Sequence, residues 1–344
     1  MYEILKPLLF QFDPEQVHDF AMRMLRFSSQ HQFLLDLIAR VCQPQDERLK
    51  LKLWNLEFPN AVGLAAGFDK NALALPAWAA LGFGFVEIGS VTALGQSGNP
   101  KPRLFRLPED NAIINRMGFN NDGANVIAAR LELWRHTHGK LKIPLGINLG
   151  KSKITPLEDA PNDYLNSLKK LWEYGDYFVL NVSSPNTPNL RELQDKDKLE
   201  LLLSSVMEFA NDQETKKPVL LKIAPDLSFE QIDEILLLLE KHNLSGILAT
   251  NTTLARDGLK SQIEEAGGLS GAPLNFKSLE ILKHLHTQLN GKLPIVSVGG
   301  ISSGDHVQQR LDAGASLVQV YSGWIYEGPL MLQNIARTLL KTKS

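Results

Sequence analysis

Hydrophobic positions divide the chain into two regions with different periodicity. In residues 1–45 the apolar side chains recur every three or four positions, which is the spacing of one face of a helix. Asp13 and Pro14 form a helix start, because an acidic cap followed by proline suits the first helical positions. Two helices are predicted here, with apolar faces made by Val17, Phe20, Ala21, Met24 and Leu25 and by Leu34, Leu37, Ile38 and Val41.

From about residue 60 onward, short apolar runs alternate with helical stretches. Eight runs have the character of buried strands: Ala61–Ala65, Phe85–Ser90, Pro144–Leu149, Tyr177–Val182, Val219–Ile223, Gly246–Thr250, Ile295–Val298 and Leu317–Tyr321. The helical stretches cover roughly residues 70–81, 121–137, 160–174, 196–212, 229–242, 275–289, 303–312 and 326–340. Eight strand–helix units in about 280 residues predict a (β/α)8 TIM barrel. The predicted organisation is an N-terminal helical extension at 1–45 and a barrel at 46–344.

A doubly wound sheet is the alternative α/β architecture. Two observations favour the barrel. No Gly-x-Gly-x-x-Gly follows the first strand, and polar clusters occur after almost every strand instead of at one switch point. Two insertions interrupt the alternation. Residues 101–115 are predicted to form a hairpin across the barrel mouth, and residues 255–274 a glycine-rich loop long enough to act as a lid.

Composition excludes several classes of protein. The formal net charge of −2 argues against nucleic-acid binding, and the one cysteine, Cys42, excludes an intrachain disulfide framework. The N-terminus lacks the features of a secretory or organelle targeting signal, and no apolar run approaches the roughly 20 residues of a membrane span. The expectation is a cytoplasmic protein without a spanning helix.

Polar and charged residues cluster where the predicted strands end. The densest cluster, Asn181–Asn189, holds three amides, three hydroxyls and two prolines directly after a buried run. Lys222 lies within an apolar strand, where a charge is costly unless it meets an anion or an electron-rich ligand. Lys70 follows Ala65–Gly67, whose small side chains let a flat ligand approach the backbone. Each feature also has an ordinary alternative, namely a polar turn or a surface lysine.

The last two strands run into the glycine-bearing turns Val298–Ile301 and Tyr321–Trp324. In barrels, the loops at these positions are the usual phosphate cradle. No histidine or carboxylate cluster is suited to a metal, and no Ser–His pair is placed for acyl transfer. The remaining amides, hydroxyls and lysines suit a planar polar heterocycle and a phosphorylated organic cofactor that performs the chemistry.

Seven motifs together resemble those of the dihydroorotate dehydrogenase family, in the same order and over nearly the whole chain. They are Ala65-Ala-Gly-Phe-Asp-Lys70, Asn115-Arg-Met-Gly-Phe-Asn120, Asn181-Val-Ser-Ser-Pro-Asn-Thr-Pro188, Lys222-Ile-Ala-Pro-Asp226, Ala249-Thr-Asn-Thr-Thr253, Gly267-Gly-Leu-Ser-Gly271 and Val298-Gly-Gly-Ile301. The resemblance implies an FMN flavoprotein that oxidises (S)-dihydroorotate to orotate in pyrimidine (UMP) biosynthesis.

Ser184 distinguishes the classes within this family. Soluble members use a cysteine as catalytic base, whereas the quinone-reducing, membrane-associated class 2 uses serine and carries an N-terminal helical extension, as this chain does. A serine is a weak base. Removal of the substrate proton must therefore be coupled to hydride departure, or the proton must be relayed through a buried water and a hydroxyl such as that of Thr187. Two alternatives are a soluble-class enzyme that is linked to fumarate or NAD, and a non-catalytic FMN- or phosphate-binding barrel.

The resemblance assigns roles residue by residue, with Ser184 as the catalytic base and no metal. The implied substrate residues are Lys70, Asn115, Arg116, Met117, Gly118, Phe119, Asn181, Asn186, Asn251 and Thr252. The implied FMN residues are Ala65, Ala66, Gly67, Phe68, Asp69, Ser90, Asn148, Asn181, Lys222, Thr250, Gly271, Gly300, Tyr321 and Ser322. Lys222 would stabilise negative charge on the reduced flavin, while its residue type and position make Asp69 the expected N-cap of a helix. Quinone contacts are assigned to His18, Arg106 and Tyr321.

The helical extension then gains a predicted role as the mouth of a quinone tunnel that dips into the bilayer surface. It carries four Lys/Arg and five Asp/Glu, so attachment would depend on apolar burial more than on anionic lipid. The expected partner is ubiquinone or menaquinone. The expected location is peripheral, on the cytoplasmic face of the cell (inner) membrane, and the expected state is a monomer. A helical hairpin that simply packs on the barrel is the alternative.

Overall fold

Eight parallel strands close into a barrel in the computed structural model, which describes residues 2–342. The strands are β1 Leu51–Leu53, β2 Leu56–Phe58, β3 Val62–Leu64, β4 Phe85–Val91, β5 Leu104–Leu107, β6 Ala112–Asn115, β7 Leu145–Leu149, β8 Tyr177–Asn181, β9 Val219–Ile223, β10 Gly246–Ala249, β11 Gly268–Gly271, β12 Ile295–Val298 and β13 Leu317–Val320. The barrel order is β3-β4-β7-β8-β9-β10-β12-β13, and β13 pairs with β3 to close it. The predicted (β/α)8 barrel is confirmed.

Helices cover the outside of the barrel and precede it. They are α1 Tyr2–Leu9, α2 Pro14–Ser29, α3 Gln32–Cys42, α4 Leu75–Ala80, α5 Ala124–His138, α6 Ala160–Leu171, α7 Lys196–Asp212, α8 Phe229–Lys241, α9 Asn275–Leu289, α10 Gly304–Asp312, α11 Ser322–Glu327 and α12 Met331–Thr342. The predicted regions 1–45 and 46–344 include Met1, Lys343 and Ser344, which lie outside the described residues. The boundary between the two regions falls between α3 and β1.

Two predicted helices differ from the structure. The stretch at 70–81 is helical only in α4, because Ala72 adopts a left-handed φ of 57° and the Asp69 carboxylate binds the amides of Leu73 and Ala74. The stretch at 326–340 is two helices, α11 and α12, separated at Gly328 with φ of 79°. Both predictions merged a turn with a helix, since the apolar spacing continues through the turn.

The two insertions form one three-stranded sheet at the carboxyl end of the barrel strands. The predicted hairpin is β5 paired with β6, and β11 from the predicted lid loop adds to β6, with Gly268 opposite Asn115. The interpretation of 255–274 as a loop throughout is therefore wrong at β11. Glycine at both ends of a four-residue strand hides it from sequence patterns, because its pairing partner lies far away in the chain.

The hairpin of β1 and β2 closes the opposite end of the barrel. Trp54 packs on Tyr177 with ring centroids 5.8 Å apart, and Phe58 meets Phe85 edge-on at 5.6 Å. The Trp54 indole donates to the Ser245 carbonyl at 2.8 Å. An apolar layer therefore fills the barrel floor, at the end opposite the carboxyl ends of the strands.

Within residues 2–45, the N-terminal extension contains three helices, one more than predicted. Asp13 caps α2 as expected, accepting from the amide of Gln16 at 2.9 Å. Met22 and Cys42 join the core beneath α2 and α3. A buried ion pair fixes α2 to the hairpin, with Arg103 Nη2 2.8 Å from Glu15 Oε1.

Large apolar side chains remain exposed on these three helices and the turn between α1 and α2. They define an outer apolar face: Ile4, Leu5, Leu8, Phe12, Phe20, Met24, Phe27, Phe33, Leu37 and Val41. Within residues 2–342, no helix is both long and hydrophobic enough to cross a membrane.

Candidate active site

A cavity of about 990 Å³, measured with its open mouth, lies at the carboxyl ends of the barrel strands. The structure brings twenty of the predicted site residues to its wall: Ala65, Ala66, Gly67, Lys70, Ser90, Asn115, Met117, Gly118, Phe119, Asn181, Ser184, Asn186, Lys222, Thr250, Asn251, Thr252, Gly271, Gly300, Tyr321 and Ser322. Wall residues outside the predicted set include Ser270, Gly299, Gln319 and Gly323.

Amide side chains in the wall hold one another in fixed orientations. Asn181 donates to the Ser90 hydroxyl at 2.8 Å and accepts from Asn251 Nδ2 at 3.1 Å. On the facing side, Asn186 Nδ2 donates to Asn115 Oδ1 at 3.2 Å. Because each amide has at least one partner within the protein, its remaining donors and acceptors are oriented before a ligand binds.

Ser184 lies in the wall, three residues after the end of β8, with 6% of its surface exposed. Its Oγ accepts from the backbone amide of Asn186 at 3.3 Å, which leaves the hydroxyl proton and the second lone pair available. Thr187 Oγ1, in the same turn, is buried and has no hydrogen-bond partner among the described residues. The turn therefore offers two hydroxyl groups for proton transfer.

Glu87 and Lys222 place a carboxyl group and an amine inside the barrel, with Lys222 in the cavity wall and Glu87 outside it. Burial raises the pKa of Glu87 and lowers the pKa of Lys222, while each charge counteracts the effect on the other. Glu87 accepts from Gln319 Nε2 at 2.6 Å, from Asn148 Nδ2 at 2.8 Å and from the Tyr177 hydroxyl at 3.4 Å. The carboxylate thus belongs to a polar layer between the apolar floor and the cavity.

Sequence reasoning missed Glu87 and Gln319. Both lie in apolar strands, at Phe85-Val-Glu-Ile88 and Leu317-Val-Gln-Val320, which is the same signal that identified Lys222. The Gln319 amide oxygen is buried and lacks a hydrogen-bond partner in the part of the chain that the structure describes. A ligand with an N–H group above it would satisfy this oxygen.

Lys70 faces the cavity from the end of the first barrel strand. Burial lowers its pKa to about 8, and the positive charge of Arg103 acts in the same direction. Glu15, Asp19 and Asp69 counteract this shift. An anionic ligand that binds Lys70 would restore the ordinary preference for the ammonium form.

Gly271 and Gly300 lie at one end of the cavity, where the backbone leaves no space for a Cβ atom. Gly300 has φ of 68°, and a Cβ at this position would lie 2.4 Å from the backbone nitrogen of Asn275. Gly271 has φ of 101°, and its Cβ would lie 2.3 Å from the Asn111 carbonyl oxygen. Ser270 and Ser322 join the two sides through a hydroxyl–hydroxyl hydrogen bond of 2.8 Å.

Four residues assigned to the substrate or to FMN by resemblance do not line the cavity. Asp69 is fully buried and accepts from Leu73 N, Ala74 N and Trp78 Nε1, so its carboxylate caps the turn before α4. Arg116 pairs with Glu265 at 2.5 Å and stacks on Phe105, away from the cavity. Both side chains therefore have partners within the protein, and the assignment of these two residues to a ligand stays a prediction.

Asn148 and Phe68 act behind the wall. The Ser90 hydroxyl donates to Asn148 Oδ1, so Asn148 supports a wall residue and links it to Glu87. Phe68 packs against Tyr321 with ring centroids 5.6 Å apart and belongs to the core. Both residues are adjacent in sequence or in space to the wall, which explains why motif matching included them.

The three residues assigned to a quinone do not form one cluster. The centroids of the His18 and Phe68 rings are 4.8 Å apart, and Phe68 also packs against Tyr321. These three rings therefore connect α2 to the cavity. Burial and the charge of Lys70 lower the pKa of His18 to about 3, which keeps its imidazole neutral. Arg106 instead donates to the Leu9 and Phe12 carbonyls and stacks on Phe10, fixing the end of α1.

Comparison with known proteins identifies the family. The family model for dihydroorotate dehydrogenase matches residues 48–342. Dihydroorotate dehydrogenase (quinone) of Gloeobacter violaceus is 52% identical over 98% of this chain and 94% of the relative, and that of a Thermus thermophilus strain is 53% identical over 97% and 94%. A crystal structure of Eimeria tenella DHODH in complex with ferulenol superposes with a TM-score of 0.88 at 34% identity, covering 97% and 94%. The chain therefore belongs to the dihydroorotate dehydrogenase family.

Proposed function

We infer that this protein is a quinone-dependent dihydroorotate dehydrogenase, an oxidoreductase of pyrimidine biosynthesis. Its bacterial relatives carry that name, and the similarity extends over nearly the full length of each chain. The observation that carries the proposal is the cavity itself, where Lys70, Ser184 and the amides of Asn115, Asn181 and Asn251 converge. The Lys70 ammonium can bind the carboxylate of the substrate, the oriented side-chain amides can bind the amide groups of its ring, and the Ser184 hydroxyl can take part in proton removal.

The family is flavin-dependent, and we propose FMN as the flavin. The Gln319 oxygen and the Lys222 ammonium offer an acceptor and a donor to the polar edge of a flavin ring. The glycine turns at Gly299–Gly300 and Ser322–Gly323 lie at one end of the same cavity and suit a phosphate group. Bound FMN would supply the hydride acceptor for the reaction.

For the substrate, we propose that the Lys70 ammonium binds the dihydroorotate carboxylate. The carbonyl and N–H groups of its ring would bind Asn115, Asn186, Asn251 and Thr252, whose orientations are already restrained by hydrogen bonds. Preorganised polar groups favour one ring orientation, because a rotated ring would leave several buried donors and acceptors unpaired.

We propose that Ser184 removes the proton from the substrate ring carbon adjacent to the one that loses hydride. Its burial excludes bulk water, and the Asn186 amide occupies one of its two lone pairs, which leaves the other free to accept the ring proton. As Ser184 accepts that proton, its own hydroxyl proton would pass through a water molecule to the Thr187 hydroxyl, which would pass its proton on in turn. Proton removal and hydride loss together convert the ring C–C single bond into the double bond of orotate.

We propose that residues 1–45 form the quinone and membrane region. Their outer apolar face suits insertion into the surface of a bilayer, on the cytoplasmic side of the cell (inner) membrane. A quinone entering beneath α2 would meet the neutral His18 and then Phe68 and Tyr321. Ubiquinone and menaquinone both fit this description. We propose that the protein acts as a monomer.

The decisive experiment separates the two half-reactions. The purified yellow protein should bleach anaerobically with dihydroorotate and regain its colour with a soluble quinone analogue. Ser184→Ala should slow bleaching strongly and retain flavin, whereas Ser204→Ala, at an exposed position of α7, should behave as the wild type. An unchanged flavin spectrum with dihydroorotate would refute the proposed activity and leave a non-catalytic flavin-binding barrel. Reoxidation by fumarate or NAD in place of quinone would indicate the soluble class.

A further inference from the structure

Arg191 lies outside the cavity, two residues after the Asn181–Asn189 turn, and contacts the loops around it. Its Nε donates to the carbonyl oxygen of Ser183 at 3.1 Å, and its Nη2 donates to the carbonyl oxygen of Thr252 at 2.9 Å. Ser183 precedes Ser184 in the chain, and Thr252 is itself a wall residue. One guanidinium therefore binds the backbone of the two loops that follow β8 and β10.

Asp226 completes the arrangement from a third loop, the one that follows β9. Its Oδ2 accepts from Arg191 Nη1 at 2.7 Å and from the Leu254 amide at 3.1 Å. Its Oδ1 accepts from the Thr253 hydroxyl. The side chains of Arg191 and Asp226 expose only 22% and 28% of their surfaces, so solvent screens this ion pair less than a fully exposed one.

The geometry requires arginine. Three N–H donors of the planar guanidinium bind two backbone carbonyls, on two different loops, and the Asp226 carboxylate. A lysine ammonium on its flexible chain cannot reproduce this fixed arrangement of donors. None of these bonds involves a cavity-lining side chain atom. Arg191 can therefore affect the reaction only by fixing the backbone that carries Ser184 and Thr252.

We propose that the Arg191–Asp226 pair is a positioning device that holds the Ser184 turn against the substrate loop after β10. This inference rests on the proposed function, because the held residues are the proposed base and a substrate-binding residue. Arg191 and Asp226 are positioning residues and do not touch the reacting atoms. Loss of the pair lets Ser184 move relative to the substrate, which slows proton removal, while the quinone side of the reaction is unaffected.

The test uses Arg191→Lys and Asp226→Asn in the flavin-loaded protein. Misplacing a catalytic group by about 1 Å can cost about 100-fold in rate, so we expect flavin reduction by saturating dihydroorotate to slow by about 10- to 100-fold. Reoxidation by a quinone analogue and flavin content should stay at the wild-type level. Arg135→Lys is the matched control, since Arg135 Nη2 also donates to a backbone carbonyl, that of Glu173 at 2.9 Å, but on the outer surface of the barrel and away from the cavity lining.

Several results would overturn the proposal. Wild-type rates of flavin reduction in both variants would do so, as would an equal loss in both half-reactions together with a lower melting temperature. Hydrogen exchange of the backbone amides in residues 183–190, measured on the wild type without substrate, keeps the proposal testable if a variant does not fold. Exchange as fast as in an unfolded peptide would contradict a fixed turn. Hydrogen exchange does not depend on dihydroorotate. Failure of the Arg191–Asp226 positioning device is therefore distinguishable from failure of the proposed activity.

Discussion

Glu15→Gln tests how the N-terminal helices are fixed to the barrel. The substitution keeps the side-chain shape and removes the charge that faces Arg103, whose side chain is only 7% exposed. Three contacts of 2.8–3.2 Å to the guanidinium lose their ionic character, and the guanidinium keeps only the Ser97 and Asn99 carbonyls as full partners. Removing one partner of a buried pair costs about 3–5 kcal/mol, and the two retained carbonyls favour the lower end, about 3 kcal/mol.

The expected shift in melting temperature follows from chain length. At about 2 cal/mol/K per residue, the unfolding entropy is roughly 0.7 kcal/mol/K, so about 3 kcal/mol lowers the Tm by about 4 °C. Glu57→Gln is the control, because Glu57 pairs with Lys52 in an exposed hairpin and should leave the Tm unchanged. Thermal melts of the two variants beside the wild type give the comparison. An unchanged Tm for Glu15→Gln would show that the pair does not stabilise the fold.

The Glu15 contribution also depends on pH. Burial opposes ionisation of Glu15, but its hydrogen bonds with Arg103 and Lys101 dominate and lower the pKa of its carboxyl below the ordinary 4.5. A carboxyl with a lower pKa in the folded state stabilises the fold fully above its unfolded value and loses that contribution as pH falls through the folded one. The Tm difference between wild type and Glu15→Gln should therefore be constant near neutral pH and shrink below about 4.5.

Three further predictions concern the cavity. Orotate affinity, followed by the flavin spectrum, should fall with rising pH above about 8 as Lys70 loses its proton, and Lys70→Met should show no such fall. Gly300→Ala should yield protein without flavin, because its Cβ would meet backbone at 2.4 Å, whereas Gly291→Ala has a similar φ of 76° with open space and should retain flavin. Glu87→Gln should destabilise the flavin-free protein in urea, since it removes the charge that counteracts the lowered pKa of the buried Lys222 amine, and adding Lys222→Met should recover most of the loss. Flavin retention in Gly300→Ala, or no recovery in the double variant, would contradict the corresponding argument.

The barrel and most of the cavity wall could be predicted because their signals are local. Each strand is a short apolar run, and the polar residues that follow it reach the same end of the barrel whatever the details of packing. Lys222 was identifiable for the same reason, as a charge inside an apolar strand. Asn181, Ser184 and Asn186 follow directly from one dense polar turn.

Features that depend on distant pairs could not be predicted. Glu15 and Arg103 are 88 residues apart, and nothing in either local sequence indicates the other. The strand β11 exists only because β6 offers it a partner. The protein partners of the Arg116 and Asp69 side chains could not be predicted either, because a motif shows which residues are adjacent in the chain and not which way each side chain points.

The opposite charges of Glu87 and Lys222 bear on how the protein is made in the cell. Burying a lysine without a counter-charge is costly, so a barrel with such a lysine would fold stably only when an anionic ligand is bound. Here the counter-charge is encoded in the same chain, on another strand of the barrel. The newly synthesised chain can therefore complete its barrel first and take up its cofactor afterwards, unlike domains whose folding is driven by the group they bind.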